Sequence, residues 1–391
     1  MHLKLLTNFF YCINRRKRIV FSTFILLIIF SFFTYNASSQ VVNTGFNDTT
    51  NVAALGKWSI NFYIDTYYGI NFKGSNSKPI PYMVSMNQNR QFNINIGTVD
   101  IRFQSKNFRA RFMPGVGSYM NANYANEKGI GRNIVEASAG ILLSKKHNAW
   151  LDVGVLGSPY TNESAISKDQ LIYTRSFGPE YAPYYLTGAK LSVPINKKIN
   201  AYLYLISGWQ KITIPSNGTA IGTQVEYRPN NKMLLNWNTY FGNEYSIDNP
   251  NYGNRYFTDL YLIYTVNKKL SLSSCLYAGI QERYNAANDK KSIGWGQINF
   301  IGKYNISNSF SISGRIERFI DPQSIMILPT TGIKGFNTSS VSLCTNYAIN
   351  KHFLWRTEFR MFSSKNLVFE DQNGIIVNKV NWGITSLAIS F

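Results

Sequence analysis

Beyond residue 40 the chain has no run approaching the roughly 18 apolar residues that a membrane-crossing helix needs, so this part is not a helical membrane protein. Acidic residues are scarce: 20 Asp and Glu stand against 40 Lys and Arg, giving +20 on a chain with only 15% charged residues. Histidine is scarcer still. Of the three, His2 lies near the start, and His147 and His352 fall in short polar turns. A Ser–His or Cys–His pair at the opposite end from those turns would have no base. No His-Glu-x-x-His or Cys-x-x-Cys spacing occurs, so no catalytic, metal or cofactor residue is assigned. Cys12, Cys275 and Cys344 are too few for a disulfide scaffold.

Aromatics are abundant: 26 Tyr and 26 Phe bring them to 15%. These are strand formers, although a soluble β protein could share the bias. The start is more specific. Arg15, Arg16, Lys17 and Arg18 precede an apolar run from Ile19 to about Phe33, and Ala37-Ser38-Ser39 follow before Gln40. That order describes a secretory signal peptide over 1–39, cleaved near Ser39/Gln40. The run is short for a retained anchor and too apolar for a typical twin-arginine leader. Removing it lowers the net charge from +20 to +15 by loss of Lys4, Arg15, Arg16, Lys17 and Arg18. Export argues against nucleic acid as a partner and favours anionic lipid or anionic solutes.

After a short segment at 40–56, the chain alternates. Trp58, Ile60, Phe62, Ile64, Thr66, Tyr68, Ile70 and Phe72 interleave with Ser59, Asn61, Tyr63, Asp65, Tyr67, Gly69 and Asn71. Period 2 puts apolar groups on one face and polar or small groups on the other. The run is long for a soluble strand of about 5–6 residues and suits a tilted spanning strand of about 9–11 plus its rims. Similar runs follow Met233, Leu270 and Phe353. Alternation alone does not separate a sandwich from a membrane barrel.

The connections do. Short polar turns fall at Ser105-Lys106-Asn107, Ser144-Lys145-Lys146, Asn196-Lys197-Lys198, Asn230-Asn231-Lys232, Asn267-Lys268-Lys269, Ser307-Asn308 and Asn350-Lys351. Longer stretches lie between them, such as 73–89, 243–253, 321–335 and 363–379. Alternating short and long connections fits a barrel with periplasmic turns at one end and outer loops at the other. The expected fold is therefore all-β: one closed antiparallel transmembrane barrel over 57–391. Seven turns imply about sixteen strands, with 14–18 open because 133–143 reads weakly and Gly97-Thr98 reads as a bulge. The final strand alternates Thr385, Leu387, Ile389 and Phe391, and Phe391 resembles the terminal signal read by the barrel-assembly machinery.

One stretch points to a family. Ser158-Pro159-Tyr160, then Asn162-Glu163-Ser164-Ala165-Ile166-Ser167-Lys168-Asp169, Thr174-Arg175-Ser176, and Pro183-Tyr184-Tyr185 before Thr187-Gly188-Ala189-Lys190 resemble the OmpL-like β-barrel porins (porin family 2) of Bacteroidetes-type bacteria. Phe62–Gly69, Ser207–Gln210 and Trp355–Arg360 fit the same pattern. The resemblance implies an outer-membrane pore and carries over no ligand residues. One departure is Thr161-Asn162 before Glu163, where Gly or a small apolar residue is frequent.

The polar strand face carries Arg109, Arg111, Asp152, Lys190, Glu226, Arg228, Asp259, Arg315, Glu317, Arg356, Glu358 and Arg360. These read as pore-lining charges, either setting ion preference or pairing across strands in a wet lumen. Tyr63, Tyr67, Tyr202, Tyr240 and Tyr277 share that face as filler or as sugar-stacking rings. The connection from about 156 to 184 carries Glu163, Lys168, Asp169 and Arg175, candidates for a constriction loop; an outer plug or a contact surface are the alternatives. The overall expectation is a porin for small hydrophilic solutes, mildly anion-preferring, without cofactor, meeting outer-membrane lipid and lipopolysaccharide. The runner-up is a non-conducting barrel whose outer loops bind a partner or surface.

The leader carries a direct prediction. The purified protein should begin near Gln40 and fractionate with the outer membrane; N-terminal sequencing that finds 1–39 intact in an inner-membrane fraction overturns it.

Overall fold

The computed structural model describes residues 56–391 except 75–77, 213–218 and 248. The leader read at 1–39, and all but the last residue of the segment at 40–56, lie outside the described residues. The strands of the first half are β1 (Lys57–Asn71), β2 (Phe92–Gln104), β3 (Phe108–Val116), β4 (Ile134–Ser144), β5 (Ala149–Gly157), β6 (Tyr185–Asn196), β7 (Ile199–Ile206) and β8 (Ala220–Asn230). Those of the second are β9 (Met233–Asn243), β10 (Tyr252–Thr265), β11 (Leu270–Tyr284), β12 (Lys290–Asn305), β13 (Phe310–Asp321), β14 (Phe336–Ala348), β15 (Phe353–Ser364) and β18 (Lys379–Ser390). Each pairs antiparallel with its chain neighbour, and β1 closes on β18, giving a sixteen-stranded barrel among the described residues. A small hairpin, β16 (Phe369–Glu370) and β17 (Ile376–Val377), stands apart in the last outer connection.

Alternation sorts the two faces. Trp58, Ile60, Phe62 and Ile64 are exposed outward, while Tyr63, Asp65 and Tyr67 are buried inward. Polar groups on the outward face are paired there: Trp237 Nε1 donates to Thr258 Oγ1 at 3.0 Å, and Trp355 Nε1 donates to Thr385 Oγ1 at 2.8 Å. An indole N–H left alone in hydrocarbon would cost several kcal/mol by order of magnitude.

Each of the seven short turns is closed by its own leading side chain. Asn196 Oδ1 accepts from the Lys198 and Ile199 amides at 2.8 and 3.0 Å, and Asn267 Oδ1 does the same for Lys269 and Leu270 at 2.8 and 3.0 Å. Asn350 holds His352 and Phe353, and Asn230 holds Lys232. Ser105, Ser144 and Ser307 accept from Phe108, His147 and Phe310 through their hydroxyls. Asn and Ser are therefore present as turn-forming acceptors, while lysines such as Lys145, Lys197 and Lys268 are exposed.

Two expectations are corrected. The register shift in β2 falls at Asn95, not at Gly97-Thr98: Asp65 pairs with Ile96 while Thr66 pairs with Ile94. The extra residue is stabilised because Asn95 Nδ2 donates to buried Asp65 at 3.0 Å. One outer connection, 285–289, is nearly as short as the periplasmic turns, closed by Asn285 and Asp289. The weak stretch at 133–143 is a regular strand, β4, entered through a 3-10 turn at Gly129–Asn133.

The face assignment is testable at the middle of β1. Ile64→Arg should cost about 2–4 kcal/mol in unfolding from lipid, whereas Asn61→Arg should be tolerated. Equal costs at the two positions would reverse the assignment.

Candidate functional site

The connection between β5 and β6 folds into the barrel rather than over it. It contains a 3-10 turn (Ser167–Asp169) and a short helix, α2 (Phe177–Tyr181), the first helix, α1 (Ser118–Asn123), lying after β3. Its partners lie on the inner wall from β9 round to β1. Carboxylates take its amides: Thr161 N donates to Asp259 at 2.6 Å, Thr174 N to Glu358 at 2.7 Å, and Phe177 N to Glu317 at 2.8 Å. Arginines take its carbonyls. Arg356 donates to Ser167 O at 2.6 Å and to Gln170 O at 3.3 Å, Arg360 donates to Arg175 O at 2.8 Å, and Arg315 donates to Thr174 O. Backbone removed from water needs such partners, and charged ones give the stronger hydrogen bonds.

The same charges also pair with one another. Arg315 lies 3.0 Å from Glu358 and 3.5 Å from Glu163, and Arg360 pairs with Glu317. On the loop itself, Arg175 lies 3.1 Å from Glu180, whose carboxylate also accepts from the Val84 and Ser85 amides. Burial pushes the Glu163 carboxyl above its usual range, and Arg315 opposes the shift. Arg315, Glu317, Arg356, Glu358 and Arg360 thus point inward as the sequence indicates, but they do not face open water. Arg315 and Arg356 are 1% exposed, and Glu358 and Arg360 are wholly covered, because the loop sits on them. Of the loop residues, Glu163 and Arg175 are enclosed in this network, whereas Lys168 is exposed at the inner tip and Asp169 half-buried beside it.

Toward the outer end the lumen is packed with rings. Phe177 meets Phe319, Phe336 and Phe362 at 6.1, 5.1 and 5.5 Å between centroids, and Trp209 packs on Tyr160, Tyr240 and Phe257. The β1–β2 connection adds Ile80, Tyr82, Met83 and Met86 to the same cluster. Tyr67, Tyr240 and Tyr277 are buried in this cluster as filler, whereas Tyr63 is buried in a second one with Ile96, Tyr119 and Tyr124 and bonds Ser167 on the loop. Cys275 and Cys344 are buried free thiols of the inner face.

The periplasmic half is different. Arg109 pairs with Asp152 at 2.6 Å over the Trp150 ring, and Lys190 reaches the same acid at 3.3 Å. Arg111 joins Glu136 at 2.5 Å and Asp100 at 2.9 Å, and Arg102 joins Asp100 at 2.7 Å. Arg228 lies 3.3 Å from Glu226, which also accepts from Tyr202 at 2.8 Å. Several of these side chains stay open, with Arg228 28%, Arg102 26% and Lys190 22% exposed. Asp100, Arg102, Glu136 and Lys303 belong to this set although sequence reasoning passed over them. The true bulge at Asn95 turns Asp100 and Arg102 inward, Glu136 lies in the weakly patterned β4, and Lys303 follows an apolar inward residue, Ile301. At the same end His352 Nδ1 lies 2.7 Å from Ser390 O, and its ring stacks on Phe391 at 4.8 Å. Among the described residues no group of three His, Cys, Asp or Glu side chains is placed to hold a metal ion.

Comparison with known proteins agrees with this geometry. A family model described as "Putative beta-barrel porin-2, OmpL-like" matches residues 57–391. No curated protein sequence matches significantly. The fold is similar to the outer-membrane channel DcaP of Acinetobacter baumannii, at 9% identity and TM-score 0.60, over 86% of this chain and 97% of that one. It is also similar to the anion-selective porin of Comamonas acidovorans (10% identity, TM-score 0.59, 86% and 100% covered). OmpF of Salmonella typhi is similar too, at 11% identity and TM-score 0.55, with 88% and 99% covered.

The latch predicts its own failure. Glu358→Ala leaves the Arg315 guanidinium and the Thr174 amide short of a buried partner, a loss of about 3–5 kcal/mol in holding the loop. Trypsin should then cut at Lys168 or Arg175 in the folded barrel, which still migrates anomalously unless boiled. Resistance equal to wild type would mean that the loop is held by its ring packing alone.

Proposed function

Because the chain belongs to the OmpL-like family of β-barrel porins, we propose that solutes cross along the polar periplasmic half of its lumen and past the flank of the inserted loop, with a mild preference for anions. The protein is an outer-membrane porin for passive diffusion of small hydrophilic solutes. What supports the finer reading is the way charge is divided with depth. Beneath the outer cluster the charges neutralise one another, while in the periplasmic half Arg102, Arg111, Lys190 and Arg228 are partly open beside Asp100, Glu136 and Glu226. Lys168 and Lys303 add to the cations and Asp169 to the acids, which leaves the open surface there net basic. Fixed positive charge inside a low-dielectric wall raises the local concentration of anions. The lysines of the short turns and outer loops are assigned to lipid and lipopolysaccharide headgroups, residues 1–39 to export, and Phe391 to recognition by the assembly machinery. No residue is assigned a catalytic role.

The rings filling the outer half favour a second reading, a barrel that conducts little and presents its outer loops to a partner. Planar-bilayer recording separates the two. The porin reading expects ohmic channels whose reversal potential in a KCl gradient indicates anion preference. That preference should be weak at 1 M salt and grow on dilution, as the Debye length lengthens from about 3 Å to about 30 Å at 0.01 M. Cation preference refutes the anion assignment, and absence of conductance favours the second reading.

A further inference from the structure

At the outer rim β3 ends at Val116, paired with Gly97, and Gly117 turns the chain into α1 with φ of 122°. A Cβ on Gly117 would stand 2.5 Å from the Asn95 carbonyl oxygen, so only glycine lets the chain cross the bulge this closely. Ser118 Oγ donates to Ile94 O at 3.2 Å, and beyond that bond Phe92 and Asn93 rise past the end of β3. A cleft of about 950 Å³ opens there between β2, α1 and the β1–β2 connection. One side of it is the lipid face: Thr66, Phe92 and Ile94 share the outward side of β1 and β2, and Phe92 is 85% exposed. Phe92 pairs with Tyr68, four positions past Ile64. At about 3.3 Å per residue and a tilt of about 40°, that puts it about 10 Å above the middle of the wall, near the edge of an apolar band about 25 Å tall. The other side is polar, with the amides of Asn87, Gln88, Asn93 and Asn121. Gln88 Nε2 donates to Asn87 Oδ1 at 2.9 Å. The half-buried Asn93 and exposed Asn121 amides have no protein partner, and no charged side chain lines the cleft, among the described residues.

We propose that this cleft holds an uncharged sugar unit of a glycolipid in the outer leaflet, with the acyl chains against Phe92 and Ile94 and the sugar hydroxyls on the Asn93 and Asn121 amides. A primary amide offers two donors and an acceptor, which matches hydroxyls that both give and take hydrogen bonds. The uncharged lining disfavours a phosphate headgroup, because an anion leaving water needs a charged partner. Neutral hydrogen bonds exchanged with water each add little. A lipid confined to the same bilayer offsets this by reaching the cleft at high effective concentration. A soluble sugar has neither that concentration nor a use for the apolar side. The site does not depend on whether the lumen conducts.

Native mass spectrometry of the purified protein, released from a detergent without a sugar headgroup, tests the site with monogalactosyl diacylglycerol against phosphatidylglycerol of the same chain length. Wild type should retain the galactolipid in preference. Asn93→Ala combined with Asn121→Ala should bind it about tenfold more weakly, the scale of one or two neutral hydrogen bonds. Asn251→Ala, at an exposed position of the β9–β10 connection, should change nothing. Heat-modifiable gel mobility reports folding. If the double variant loses it, Ala122→Trp, which fills the cleft and leaves the amides in place, takes over with the same expected loss. No preference for the galactolipid, unchanged affinity in the cleft variant, or an equal loss in Asn251→Ala overturns the site. Displacement of the galactolipid by equimolar methyl galactoside overturns the assignment to a membrane-borne sugar. A wild type that binds the galactolipid but does not conduct in bilayers sinks the porin reading and leaves the cleft standing; one that conducts without that preference sinks the cleft alone.

Discussion

Hydrocarbon offers a peptide group nothing to bond with, and the rest of this structure follows from that. Every strand must be flanked on both sides, which forces β1 onto β18 and leaves no free edge in the wall. It also decides where charge goes. With lipid outside, strand charges such as Asp65, Arg109, Glu226 and Arg315 turn inward, and the few outward hydroxyls and indoles pair across strands. Closing sixteen strands leaves a space too wide for wall side chains to fill, about the size that in other barrels holds an aqueous channel. What occupies that space is decided by the connections.

The β5–β6 loop meets the same constraint a second time. Once folded against Phe319, Phe336 and Tyr277, its amides and carbonyls are as far from water as those of the wall. Wall carboxylates then serve as acceptors for amides and wall arginines as donors to carbonyls. Such a network is not a large source of stability, because the desolvation of each charge offsets most of the attraction it gains. Its effect is positional. Any other placement of Thr174 or Ser167 would strand a buried carboxylate or guanidinium, so one arrangement of the loop is selected over others of similar packing. An apolar wall could bury the loop equally well but would hold it in many registers.

The wall was legible in the sequence because its signals are local. Asn and Ser at seven turn starts, and alternation over stretches such as 58–72, are each decided by neighbours in the chain. Depth was not legible. Arg228 and Arg315 occupy equivalent inward positions by alternation, yet one is partly open and the other sealed beneath residues more than a hundred positions away. The family-like motif at 158–190 marked the loop, but not which wall groups would hold it. Asn95 shows the same limit on a smaller scale. Its bulge depends on a buried partner, Asp65, thirty residues earlier, whereas Gly97-Thr98 attracts notice only by composition.

Depth also settles which charges can act on a passing ion. Arg315 lies within salt-bridge distance of Glu163, Glu317 and Glu358, and Arg360 of Glu317, and a compact cluster of near-balanced charge has a field that decays within a few ångströms of its edge. Its arginines therefore contribute to where the loop stands rather than to what the lumen attracts. A cation influences the path only if no acid beside it cancels its charge and water or solute can approach it. Lys303 meets the first condition through its hydroxyl-bearing neighbours and the second by being half-buried rather than sealed. Arg356 links the two regimes: it fixes Ser167 and Gln170 through its terminal nitrogens and, by doing so, holds Lys168 toward the open side. The constraint that drives polar backbone to seek partners thus also sets where the lumen keeps an uncompensated charge.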